Sequence, residues 1–251
     1  IYTGEDTLSL HDALPICLTL GKLNNIADIT MSSSQSVAGN VTFYGGTINL
    51  NGNLTTTNGG HISLYSNNAI AGLTAQRNVT AAGTFTYAPQ GTSFASAVTF
   101  PITNLNLSCT GLTIGKPNNT AGITIGSATA INGPITLHGG ALTLNAALST
   151  TNTSTGNMSL NGTTLSGGSL TVADGRTLTM NLSSNTNYSG TITGTVVNTG
   201  NDVLALTNAG TITGNVTVSG TGAGSSFTNT GTNGLVFLVI TTPADDEEEM
   251  R

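Results

Sequence analysis

Leu18 to Asn58 recurs as Leu112 to Asn152 at a constant offset of 94 residues, ungapped, with 20 identities in 41 positions. Leu18-Thr19-Leu20-Gly21-Lys22-Leu23-Asn24-Asn25 returns as Leu112-Thr113-Ile114-Gly115-Lys116-Pro117-Asn118-Asn119. Val41-Thr42-Phe43-Tyr44-Gly45-Gly46 returns as Ile135-Thr136-Leu137-His138-Gly139-Gly140. After a two-residue insertion, Ile62-Ser63-Leu64 returns as Met158-Ser159-Leu160. A chain that copies itself over such a stretch folds as stacked or tandem copies of one unit.

Within each copy, apolar-polar-apolar triplets recur between Gly, Asn and Ser. Examples are Val41-Thr42-Phe43, Ile48-Asn49-Leu50, Phe85-Thr86-Tyr87, Val98-Thr99-Phe100, Leu142-Thr143-Leu144 and Val216-Thr217-Val218. Alternation sends the outer two residues of a triplet to one face of a strand and the central Thr, Asn or Ser to the other. The intervening residues are turn formers, and the Asn-Asn pair beside Lys22 reads as a turn between strands. No stretch of this region has a helical period. The expected fold is therefore all-β: a parallel β-helix, or β-solenoid, of short strands, with rungs of roughly 20–30 residues. Tandem β-sandwich domains are the alternative, because a sandwich also repeats near this length. In the solenoid register Leu18, Leu20, Ile29, Val41, Phe43, Ile48 and Leu50 point inward. So do Leu112, Ile114, Ile123, Ile135, Leu137, Leu142 and Leu144, while Thr19, Thr42, Thr113 and Thr136 point outward.

Composition narrows the function. Of 251 residues only 5 are Lys or Arg and 11 are Asp or Glu. Between residues 17 and 244 the charged side chains are Asp28, Asp174 and Asp202 against Lys22, Arg77, Lys116 and Arg176. Four scattered cations make no nucleic-acid surface. Two cysteines make no disulfide scaffold. No apolar run approaches a transmembrane span; the longest, Leu235 to Ile240, reads as a buried strand. The acidic residues after Pro243 read as a solvated, disordered tail.

Thr7 to Ile16 resembles the translation of a short-read sequencing adapter, in the frame ACT CTT TCC CTA CAC GAC GCT CTT CCG ATC. Ile1-Tyr2-Thr3 fits the adapter segment ahead of the index. Residues 1–16 are thus expected to be an artefact, packing poorly on the rest, and the chain to be a fragment of a longer protein. The expected organisation is 1–16 adapter-derived, 17–110 a first β-repeat unit and 111–160 a second, partial copy. Residues 161–240 are Gly-punctuated repeats such as Tyr188-Ser189-Gly190-Thr191-Ile192-Thr193-Gly194, and 241–251 are the acidic tail.

The repeat running from Leu-Thr-Ile-Gly-Lys-x-Asn-Asn through Gly-Gly-x-Leu/Ile-x-Leu-Asn resembles repeats of very large secreted bacterial adhesins, the filamentous-haemagglutinin-like proteins. The later part resembles autotransporter passenger repeats. The resemblance covers most of 17–240. It implies a secreted or outer-membrane-displayed shaft without a cofactor, whose partners are neighbouring repeats of the same longer chain. It also brings host-surface or matrix glycans and proteins onto the partner list.

The residues themselves offer little chemistry. Hydrolysis on a β-helix needs two carboxylates within about 5–10 Å. Asp28, Asp174 and Asp202 fall on separate rungs, Asp28 is Gly122 in the second copy, and Asp174-Gly175 reads as a turn. His61 aligns with Asn157 and His138 with Tyr44, so neither histidine recurs and no metal site is expected. Both histidines read as exposed face residues. Cys17 and Cys109 fall several rungs apart, too far for a disulfide. The Asn-x-Ser/Thr triplets follow from an Asn- and Thr-rich composition and do not indicate glycosylation. No catalytic, cofactor-binding or metal-ligating residue is assigned. The expected function is a non-catalytic structural shaft segment of an adhesin. A glycan-binding module is the alternative, for which Tyr44, Tyr65, Tyr87 and Tyr188 are the available platforms. A polysaccharide-degrading enzyme is the remote alternative.

Overall fold

A computed structural model describes residues 17–68, 70, 73, 75–184, 188 and 190–199, together with the strands Ile212–Thr213, Val216–Val218 and Leu238–Ile240. The expectations for residues 1–16, Asp202, residues 235–237 of the apolar run and the acidic tail lie outside the described residues. The described chain is all-β, and its strands stack in parallel as a β-solenoid. The sandwich alternative falls, because neighbouring strands pair parallel throughout rather than as antiparallel hairpins.

Each rung begins with a strand on the first side of the solenoid. Eleven such strands form one sheet: Leu18–Leu20, Val41–Gly45, Ile62–Ser66, Phe85–Ala88, Leu112–Ile114, Ile135–His138, Met158–Gly162, Thr177–Leu182, Thr195–Asn198, Val216–Val218 and Leu238–Ile240. We number the rungs 1 to 11 by these strands. The second strand of a rung runs over Ile29–Met31 and Ile48–Leu50 in rungs 1 and 2. It runs over Val98–Phe100, Ile123–Ile125, Ala141–Leu144 and Thr164–Gly167 in rungs 4 to 7. The third side is Gln35–Val37, Leu54–Thr56, Arg77–Thr80 and Leu105–Ser108 in rungs 1 to 4, then a second sheet starting at Thr129–Ile131 in rung 5. Between Leu105–Ser108 and Thr129–Ile131 the ladder is broken, leaving a cleft of about 340 Å³. Leu107 shares a register line with Leu54 and Val79, which are fully buried, yet is itself half-exposed at this break.

The 94-residue repeat is four rungs long: rung 5 is the sequence copy of rung 1 and rung 6 of rung 2. Paired positions occupy matching places. Val41, Phe43, Ile48 and Leu50 are fully buried, and so, to within 2%, are Ile135, Leu137, Leu142 and Leu144. Ile29 and Ile123 are buried too. Thr19 is exposed, and Thr42, Thr113 and Thr136 are half-exposed on the outer face. Rung 1 differs: Leu112 and Ile114 are buried, but Leu18 is only half-buried and Leu20 is 38% exposed. The reason is position. Leu112–Ile114 is sandwiched between two strands, whereas among the described residues Leu18–Leu20 pairs with Val41–Gly45 alone.

Buried polar groups repeat as well. The Thr56 hydroxyl donates to the Gly60 carbonyl at 2.6 Å and accepts from the Ala82 N–H. Thr150 does the same with Gly156 and Ala173. A hydroxyl inside an aliphatic stack is tolerated only when so paired.

Candidate functional site

The corner after the first-side strand is where the chain departs most from a plain ladder. In rung 5 the strand ends at Gly115 (φ 78°), and a Cβ there would lie 2.0 Å from the His138 carbonyl oxygen. The chain then turns through Lys116 to Asn119, with Asn118 at φ 70° and the Asn119 N–H donating to the Lys116 carbonyl. Asparagine tolerates this left-handed conformation better than most residues. Rung 1 makes the same turn, with Gly21 at φ 74° and Asn24 at φ 67°, as the Asn-Asn pair suggested.

Asn119 anchors the turn. It is buried, and its Nδ2 donates to the His138 carbonyl at 2.7 Å. Its Oδ1 accepts from the Ser93 hydroxyl at 2.8 Å and the Phe94 N–H at 3.2 Å. The Lys116 ammonium donates to the Gln90 carbonyl at 2.9 Å. Gln90 in turn reaches back, its Nε2 donating to the carbonyls of Asn25 and Gly45. The turn is thus tied to rungs on both sides.

Beside it runs an open groove of about 500 Å³. Pro117, Asn118, Gly139 and Gly162 are among the residues that line it. His138, Asn161 and Asn181 occupy one register line on rungs 6, 7 and 8, so they follow one another at the rung spacing of about 4.8 Å. Asn161 is held by bonds from its Nδ2 to the Leu137 carbonyl and the Ser159 hydroxyl, and it accepts from Asn181 at 3.4 Å. The His138 ring has no hydrogen-bond partner among the described residues. Partial burial lowers its pKa below the ordinary imidazole value, which favours the neutral ring. It is half-buried, not the exposed face residue expected from sequence. No lining residue carries a carboxylate, a guanidinium or an ammonium. Such a groove offers neutral donors and acceptors at fixed intervals, suited to a polyhydroxylated ligand. It supplies no acid–base pair.

The remaining singled-out residues lie apart. Tyr44 and Tyr65 stack on the outer face of rungs 2 and 3, with ring centroids 4.9 Å apart and planes 10° apart. Tyr87 and Tyr188 are buried in the core and are not platforms. The Tyr87 hydroxyl donates to the Asn68 carbonyl and accepts from the Ile70 N–H. Asp28, on rung 1, accepts from the Thr47 N–H at 2.8 Å. Asp174 sits in the turn closed by the Arg176 N–H to Ala173 carbonyl bond, with Gly175 at φ 71°. His61 is exposed, its Nδ1 accepting from the Thr84 N–H at 2.9 Å. Among the described residues no three His, Cys, Asp or Glu gather as a metal site. Cys17 is exposed, Cys109 is buried, and both thiols are free. No helix of the described residues is long and apolar enough to cross a membrane.

Reading the sequence alone misses the groove, because its residues are uncharged and the first copy has Tyr44 and Tyr65 where His138 and Asn161 stand. The signal that finds it is the rung period, which lines up His138, Asn161 and Asn181. The chain matches no family model, no curated protein and no solved structure.

Proposed function

We propose that this chain is a non-catalytic length of the shaft of a secreted or cell-surface bacterial adhesin. The observation that carries the shaft reading is the single ladder of eleven parallel strands. At about 4.8 Å per rung it extends some ~48 Å from first strand to last. Its outer register line on the first side is short hydroxyls over rungs 1 to 8, from Thr19 through Thr42, Ser63, Thr86, Thr113, Thr136 and Ser159 to Thr179, and passes to Val197, Thr217 and Val239 in rungs 9 to 11. A line of small neutral hydroxyls offers no charge for an ion or a charged partner to pair with, which suits a spacer. The adhesin part rests on the resemblance of the repeat.

A second reading, a glycan-binding module, is favoured by the His138–Asn161–Asn181 groove. One experiment separates the two. Beads coated with the purified chain are applied to cultured host cells and to an array of neutral and acidic glycans. The shaft reading expects no retention on either surface above that of uncoated beads. Retention on neutral glycans that Asn181→Ala reduces about tenfold would replace the first reading by the second.

A further inference from the structure

The large hydrophobic side chains most exposed among the described residues are Leu20 at 38%, Leu23 at 58% and Ile26 at 91%, all on rung 1. Rung 1 is also a sequence copy of rung 5, so rung 5 shows what Leu20 is built to touch, whereas the counterparts of Leu23 and Ile26, Pro117 and Thr120, are exposed there too. Leu112 and Ile114 pair with Phe85 and Tyr87 of rung 4, and Ile123 pairs with Val98. The Gly115 N–H donates to the Tyr87 carbonyl, Lys116 to Gln90, and Asn119 accepts from Ser93 and Phe94. Rung 1 carries the identical residue at all but one of the rung 5 positions in these contacts: Leu18, Gly21, Lys22, Asn25 and Ile29, with Leu20 standing for Ile114. Among the described residues the Gly21 N–H and the Lys22 ammonium have no partner. Asn25 Oδ1 accepts only from its own neighbour Ala27.

We propose that the outer edge of rung 1 is a docking seam for a rung of the Phe85–Ser108 type, supplied by polypeptide leading directly into Leu18. The seam is selective because its recognition groups are those that rung 5 uses on rung 4. Two aliphatics face a Phe-x-Tyr strand. A lysine reaches a carbonyl, and a buried asparagine takes a hydroxyl and an N–H. A strand without this pattern satisfies the backbone edge but leaves the Leu20 side and the Asn25 amide uncovered. The inference rests on the internal repeat, the solenoid and the reading of residues 1–16 as adapter-derived, and stands or falls independently of the adhesin reading.

The test is a graft. A copy of residues 85–111 replaces residues 1–17 of the full chain, and a control graft of equal length carries Ser for its copies of Phe85, Tyr87, Val98 and Leu105. Amide hydrogen exchange is followed at residues 18–21, with 112–115 as the internal reference for an intact fold. The matched graft should slow exchange at 18–21 by about tenfold or more relative to the parent and the control. Adding Leu20→Lys should reverse the gain. Equal protection in the matched and control grafts, or loss of protection at 112–115 with the matched graft alone, overturns the proposal. So does concentration-dependent association of the parent that Leu20→Lys abolishes and the matched graft leaves intact, since that assigns the edge to a second copy.

Discussion

Asn25 and Asn119 occupy the same position in the two copies but do different amounts of work. Each closes its turn and donates to a carbonyl one rung on, Tyr44 for Asn25 and His138 for Asn119, both at 2.7 Å. Only Asn119 also takes the Ser93 hydroxyl and the Phe94 N–H, from the rung before. Removing the Asn119 amide strands three rungs' worth of polar groups in a buried site, which costs about 1–3 kcal/mol. Asn119→Ala should therefore lower the midpoint of thermal unfolding clearly more than Asn25→Ala does. Equal shifts would mean that the bonds to Ser93 and Phe94 contribute nothing. The sequence marks this pair as a turn, through residues that tolerate positive φ. It does not reveal that the second asparagine turns its side chain inward, because that depends on a partner loop from another rung.

The strand triplets are the most legible elements. A polar residue between two aliphatics leaves one strand face dry and one wet, so burial at Val41, Phe43, Ile135 and Leu137 follows from the pattern alone. Alternation cannot say whether a neighbour covers that dry face, which is why Leu20 was expected inside and is exposed. The matched pair turns this into a measurement. Ile114→Ala removes a fully buried side chain between two rungs and should cost about 2–5 kcal/mol in denaturant unfolding. Leu20→Ala, at the same position of the repeat, should cost under ~1 kcal/mol. A Leu20→Ala cost as large as that of Ile114→Ala would show that the Leu18–Leu20 strand is covered in solution. Two features of the stack were beyond the triplet pattern: the broken ladder on the third side, and the groove beside the 116–119 turn. Both depend on how loops of unequal length settle between rungs, and loop length carries no hydrophobic signal.

For the whole molecule, so few ionisable groups make an unusual pH profile. Among the described residues Asp28 and Asp174 are the only carboxylates. Burial pushes the phenols of Tyr87 and Tyr188 above their ordinary value. The folded chain then holds those protons more tightly than the unfolded chain, whose tyrosines ionise near about 10. Their contribution is complete below that pH and is lost as pH rises beyond it. Urea unfolding at a series of pH values should show a plateau and then an alkaline decline, and Tyr87→Phe should make that decline shallower. A decline unchanged in Tyr87→Phe would place its origin elsewhere. His138, lowered by burial, acts in the opposite sense and contributes a small loss as pH falls through the imidazole range. The stacked architecture was legible in the 94-residue repeat. The ladder of strands has a mechanical meaning. Its hydrogen bonds run along the long axis, so tension applied end to end falls on one inter-rung seam after another and peels the chain a rung at a time. A sideways force meets every strand of a rung together. A filament so made yields gradually when stretched, absorbing a tug through the loss of single rungs while the rest of its length keeps its form.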